Sequence, residues 1–245
     1  MENSKKKQGS IIAILAMIFL FAMIAFVTNL CSPMAIILKN AFQVPESLAQ
    51  VGNYGNFGAY LLMGVPAGLL IDKFGYKKTA LAALVVGVVG LLIQWVSGSM
   101  GFVVYLIGAL ISGLCMCMLN TVVNPMLNKL GGEGNKGNQL IQVGGSFNSV
   151  MATITPMFVG ILIAGSIEKA TISQIFPVMY TAMAVFAIAF FVLLIVPIPE
   201  PNAATSTEPI GKLMSGALKF RHFILGAIAI FVYVGVEVGV PGTLN

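Results

Sequence analysis

The chain has 245 residues, of which 58% are hydrophobic and 9% charged, where an ordinary soluble domain carries about 25% charged residues. That composition excludes a water-soluble globule, a disordered or collagen-like chain and a disulfide scaffold, and the net charge of +5 reflects basic residues on one side of a membrane rather than nucleic-acid binding. At about 20 apolar residues per crossing helix, the length holds one membrane domain of at most about nine spans.

Apolar runs broken by charge and by Gly, Pro and Asn clusters predict helices over Ile11 to Leu38, Gln50 to Ile71, Lys78 to Val96, Phe102 to Asn128, Gln139 to Ile167, Gln174 to Val196, and from Phe223 to the end. The first run follows Lys5, Lys6 and Lys7, but Ile11 to Val27 already exceeds the apolar stretch of a cleaved signal, so it reads as a retained helix. With the N-terminus cytoplasmic, eleven of the 13 basic residues fall on the inner side: Lys5, Lys6, Lys7, Lys73, Lys77, Lys78, Lys129, Lys136, Lys212, Lys219 and Arg221. Only Lys39 and Lys169 fall outside, and the opposite orientation would violate the positive-inside rule almost everywhere.

The organisation expected is a cytoplasmic N-terminus (1–10), a six-helix bundle (11–196), a cytoplasmic linker (197–222) rich in Pro, Thr and Ser, and a seventh helix (223–245). Six spans, a linker and a further span suit a chain built from two six-helix halves. The seventh helix is therefore expected to open a truncated C-terminal bundle, whose missing remainder would be a partner of this half. Within the first half, Thr28, Asn29 and Pro33 of span one echo Asn120, Thr121, Asn124 and Pro125 of span four. The match falls where two inverted three-helix repeats would place their cavity-lining helices.

Between spans two and three the chain reads Gly68, Leu69, Leu70, Ile71, Asp72, Lys73, Phe74, Gly75, Tyr76, Lys77, Lys78. A tight cytoplasmic turn needs glycine where φ is positive, and its lysines can meet anionic lipid headgroups. Asp72 is the unusual member. A carboxylate at the membrane face favours a helix N-terminus or a basic partner, so Gly68, Asp72, Lys73, Gly75, Lys77 and Lys78 form a candidate cytoplasmic gate.

This loop resembles the signature of the major facilitator superfamily: Gly, three residues, Asp, Arg or Lys, one residue, Gly, then basic residues. Three further stretches are similar to the fucose/galactose/glucose permease family within it: Leu119 to Pro125 with Leu130 and Gly131, Ser146 to Ser149, and Tyr233 to Val238 in the seventh helix. The resemblance implies an all-α transporter of the plasma membrane, the inner membrane in bacteria, that carries a sugar by alternating access, with proton coupling. It also implies a substrate-facing role for Asn148. Two departures qualify the coupling: proton-coupled fucose permeases carry acids where Ser32 and Asn120 stand here.

The residues themselves point to a neutral substrate. Spans one to six hold no charge in their interiors, and an unpaired charge at mid-bilayer costs at least about 2.5 kcal/mol. They offer amides and a phenol instead: Asn29, Asn53, Asn56, Tyr60, Asn120, Asn124, Gln142 and Asn148. Each amide donates and accepts, so pairs of them can engage neighbouring hydroxyls of a polyol; the same groups also suit hydrogen bonds between helices. Glu237, the one acid within a span, is the candidate proton-coupling group.

Gly64 and Gly68 form a Gly-x-x-x-Gly step suited to close helix packing, and Trp95 suits an interface anchor. Cys115 and Cys117, two apart on a helix, suit packing rather than a metal pair. No nucleotide loop, metal cluster or nucleophile triad is present, so neither an enzyme nor a cofactor is expected. The alternatives to a proton-coupled sugar transporter are a drug/proton antiporter using Glu237, a neutral-sugar uniporter and a half-transporter subunit.

Overall fold

The structure, a computed structural model, describes residues 2–132, 134–163, 174–198, 200 and 215–243; the description excludes the side chains of residues 2–10, 31, 32, 35, 38, 41, 46, 47, 49, 50, 53, 57 and 237–243. Helices run in the order α1 (Glu2–Phe42), α2 (Glu46–Phe74), α3 (Tyr76–Met100), α4 (Phe102–Gly131), α5 (Lys136–Ile163), α6 (Ile175–Ile195) and α7 (Arg221–Thr243), with no strand among the described residues. The first six are long and apolar enough to cross a membrane, and the apolar stretch of α7 runs over Arg221–Val236. The fold is therefore the expected all-α membrane architecture.

The helices outrun the apolar stretches that announce them. α1 has 41 residues, about 60 Å at ~1.5 Å per residue, twice the hydrocarbon thickness of ~30 Å. Backbone hydrogen bonding does not stop where hydropathy does; it continues through Lys5, Lys6 and Lys7 until something breaks it. The breakers are local. A single residue, Gly75 at φ 84°, separates α2 from α3, and another, Gly101 at φ 105°, separates α3 from α4. Both conformations disfavour a side chain.

The chain divides into two compact units, Met1–Ala203 and Ala204–Asn245. In the first, α2 packs along α4 and α5 along α1, the exchange of partners expected when two three-helix repeats are inverted and interleaved. α1 and α4 also meet each other, while α3 and α6 pack together and against α4 and α1 respectively. The second unit holds a helical turn at 215–218 and α7.

Lipid is as apolar as leucine, so helix association rests on close packing and polar contacts. The core is filled by Met17, Leu20, Met23, Met34 and Ile37 of α1, Leu84 of α3, Met116, Leu119 and Met126 of α4, and Phe186 of α6, all at or below 2% exposure. Glycine lets α3 and α4 approach closely from both sides of their seam, where a Cβ on Gly108 would stand 2.8 Å from the backbone N of Gln94 and one on Gly90 2.8 Å from that of Ser112. Gln94 Nε2 donates to Ser112 Oγ across the same seam at 2.8 Å. The expected Gly64–Gly68 step is corrected here: a Cβ on either would meet nothing within 4 Å, so neither glycine permits a helix contact among the described residues.

Candidate functional site

Two interior cavities described in the six-helix unit are each too small for a solute. A cavity between α1, α2, α3, α4 and α6, lined by Leu30, Met34, Asn56, Gln94 and Ser112 among others, is the size of a water molecule, whereas ligand pockets ordinarily span several hundred Å³.

The sequence-derived amides divide by position. Asn29 on α1, Tyr60 on α2, Asn120 and Asn124 on α4 and Asn148 on α5 are half-buried, and these four helices are linked through α1 and α4. Asn120 Nδ2 donates to the Tyr60 hydroxyl at 2.8 Å, joining α4 to α2, and Asn148 Nδ2 donates to the Phe21 carbonyl at 3.1 Å, joining α5 to α1. Asn29 Nδ2 donates to the Ala25 carbonyl and Asn124 Nδ2 to the Asn120 carbonyl, each within its own helix. In every case the amide N–H is engaged. Asn56, at 1% exposure, lies inside the bundle beside the water-sized cavity, and Gln142 is exposed on α5. The side chains of Asn53 and Glu237 lie outside the described residues.

Prolines add backbone acceptors near this set. Pro33 has no N–H for the carbonyl of Asn29, four residues earlier, and Pro125 has none for that of Thr121. The two helices thus carry a Thr/Asn pair at the same distance before proline, in swapped order: Thr28, Asn29 and then Asn120, Thr121.

At the α2–α3 turn, Asp72 is half-buried, and Lys73 and Lys78 are exposed, with Lys73 Nζ 5.3 Å from the Phe74 ring centroid. Lys77 Nζ is bonded to the carbonyls of Leu194 and Val196. Lys129 Nζ donates to the Tyr76 hydroxyl at 3.1 Å and lies 4.8 Å from its ring centroid, a cation–π contact as well as a hydrogen bond. At the other end of α3, Trp95 clusters with Phe176 and Tyr180 of α6, at 6.1 and 6.4 Å between centroids. Cys115 and Cys117 are buried in packing positions, and the side chain of Cys31 lies outside the described residues.

Two features lie beyond the sequence reading: the Gln94–Ser112 pair, and the exposed face of α5 that joins Gln142, Ser146 and Ser149 to Thr153. Gln94 and Ser112 each stand in an otherwise apolar run, where a single polar residue carries little signal. On α5, Gln142, Ser146, Ser149 and Thr153 are all exposed and share one helical face; Ser146, Ser149 and Thr153 each donate to the carbonyl four residues back, at 3.0, 3.1 and 3.0 Å. Their 3.6-residue period could have found them.

Residues 14–243 match the family model described as the Major Facilitator Superfamily. A glucose/galactose transporter of Brucella abortus is 31% identical over 99% of this chain and 59% of its own length. The L-fucose-proton symporter of Escherichia coli is 22% identical over 96% of this chain and 59% of its own. A crystal structure of the Escherichia coli fucose:proton symporter superposes with a TM-score of 0.78 at 20% identity, covering 94% of this chain and 60% of that one. The chain thus spans about three fifths of the length of these relatives.

Proposed function

We infer that this chain, which belongs to the major facilitator superfamily and is an integral membrane protein, forms one wall of a path for neutral sugars of the glucose, galactose or fucose class and moves them by alternating access. A second bundle supplies the opposite wall. The observation that carries this reading is the half-buried set Asn29, Tyr60, Asn120, Asn124 and Asn148 on α1, α2, α4 and α5, with no charged side chain in the described interiors of those helices. Amides and phenols hydrogen-bond hydroxyls without requiring a counter-charge, and the relatives named glucose/galactose transporter and L-fucose-proton symporter support the same substrate class.

In this reading the engaged N–H groups hold each amide in one orientation and turn its oxygen to the sugar's hydroxyl donors. Asn53, Asn56 and Gln142 supplement the set, with Asn56 acting from behind. Glu237 on α7 carries the coupled proton, since neither Ser32 nor Asn120 can. The N-terminus is cytoplasmic in the plasma membrane, the inner membrane of a bacterium, which puts Gly68, Asp72, Lys73, Gly75, Lys77 and Lys78 at the inner mouth as its gate.

Radiolabelled uptake tests the reading: cells expressing the protein accumulate at least one of glucose, galactose or fucose, and an uncoupler abolishes the accumulation. Uptake of none of these sugars, with or without a proton gradient, would overturn it.

A further inference from the structure

Helix α3 begins on Gly75, which has no side chain to accept from the N–H groups of the first turn. The acceptor comes from far along the chain. The carboxylate of Glu200, just beyond α6, takes the N–H of Tyr76 on Oε2 at 2.9 Å and that of Lys77 on Oε1 at 2.8 Å. It lies directly over the glycine, for a Cβ at Gly75 would stand 2.5 Å from Oε2. Gly75 is thus required twice, by its φ of 84° and by the carboxylate seated on it.

Lys77 makes the return contact. Its Nζ donates to the carbonyls of Leu194 in the last turn of α6, at 3.0 Å, and of the C-cap residue Val196, at 2.9 Å, where carbonyls have no partner within the helix. An anion therefore sits at the positive end of α3 and a cation at the negative end of α6. The start of α3 is capped by a side chain from the segment after α6, and the end of α6 by a side chain of α3.

We propose that Glu200 and Lys77 form a reciprocal clasp that fastens the segment after α6 onto the α2–α3 turn. The clasp makes α3 and α6, the third helices of the two repeats, move as one piece at this end. Two residues of the signature loop gain a task inside the bundle, Gly75 as the seat and Lys77 as the fastener. The clasp stands without the transport reading; only its effect on turnover rests on that reading.

Hydrogen exchange of the purified chain in phosphatidylcholine nanodiscs tests it. Glu200→Ala speeds exchange of the Tyr76 and Lys77 amides roughly tenfold, the order of one lost helix cap, and leaves the buried middle of α3 around Ala83 and Leu84 unchanged. Glu200→Gln, which keeps one acceptor and loses the charge, falls between. Unchanged exchange at the two amides overturns the clasp, as does exchange raised along the whole of α3, which would make Glu200 a general folding residue. In sugar uptake, Glu200→Ala lowers Vmax severalfold at an unchanged KM; an unchanged Vmax, or a raised KM, overturns its role in movement. A wild-type protein that moves no sugar while the exchange pattern holds removes the transport reading and leaves the clasp supported.

Discussion

The amide nitrogen of Asn120 lies 2.8 Å from the hydroxyl of Tyr60, so that α4 and α2 meet through a pair of groups each suited to a sugar hydroxyl. The pair acts as a unit, since either partner holds the other in place. Tyr60→Phe and Asn120→Ala are each expected to raise KM for the transported sugar about tenfold, the scale of one hydrogen bond lost in a half-buried site. The double variant should be little worse than either single one, because contacting residues are not additive. Additive losses in a double-mutant cycle would separate the two residues.

Packing at the α3–α4 seam makes a second prediction. A methyl group on Gly108 must enter the space of the Gln94 backbone, and overpacking of this kind typically costs about 1–3 kcal/mol. Gly108→Ala should lower the thermal midpoint of the protein in detergent by several degrees. Gly64→Ala, where nothing stands within 4 Å, should leave it unchanged.

Much of this architecture was readable because apolar runs and glycine breaks are local signals. The start of α4 at Phe102 follows directly from Gly101, and the α2–α3 boundary from Gly75. The N-terminal reach of α1 was not readable, since a helix continues through polar residues without changing their hydropathy. Candidate residues were found singly: Asn120 and Tyr60 each stood out, but their pairing depends on packing across 60 positions. The alignment of Ser146, Ser149 and Thr153 is written in their spacing, but the exposure of that face depends on how α5 packs against its neighbours. Glu200 was invisible as a cap because its partners lie 123 and 124 residues away.

The proton-coupling proposal rests on Glu237. Glu237→Gln keeps the shape and removes the titrating group, so uptake by this variant should lose its dependence on external pH while equilibrative exchange of sugar persists. Retention of the wild-type pH profile would take Glu237 out of the coupling step.

Orientation can be read from one helix. Lys78 and Met100 stand near opposite ends of α3, both exposed, Met100 at 67%. In intact cells a membrane-impermeant thiol reagent should label Met100→Cys and spare Lys78→Cys, which becomes reactive only in inverted vesicles. The reverse pattern would place the N-terminus outside.

An uncharged wall of amides is the core of the functional account, and sugar counterflow in proteoliposomes tests it most directly. Vesicles preloaded with unlabelled glucose, galactose or fucose should draw in the same labelled sugar transiently, and Asn120→Ala should lower the apparent affinity about tenfold. Counterflow of a cationic or nucleoside solute, with none of any neutral sugar, would contradict it.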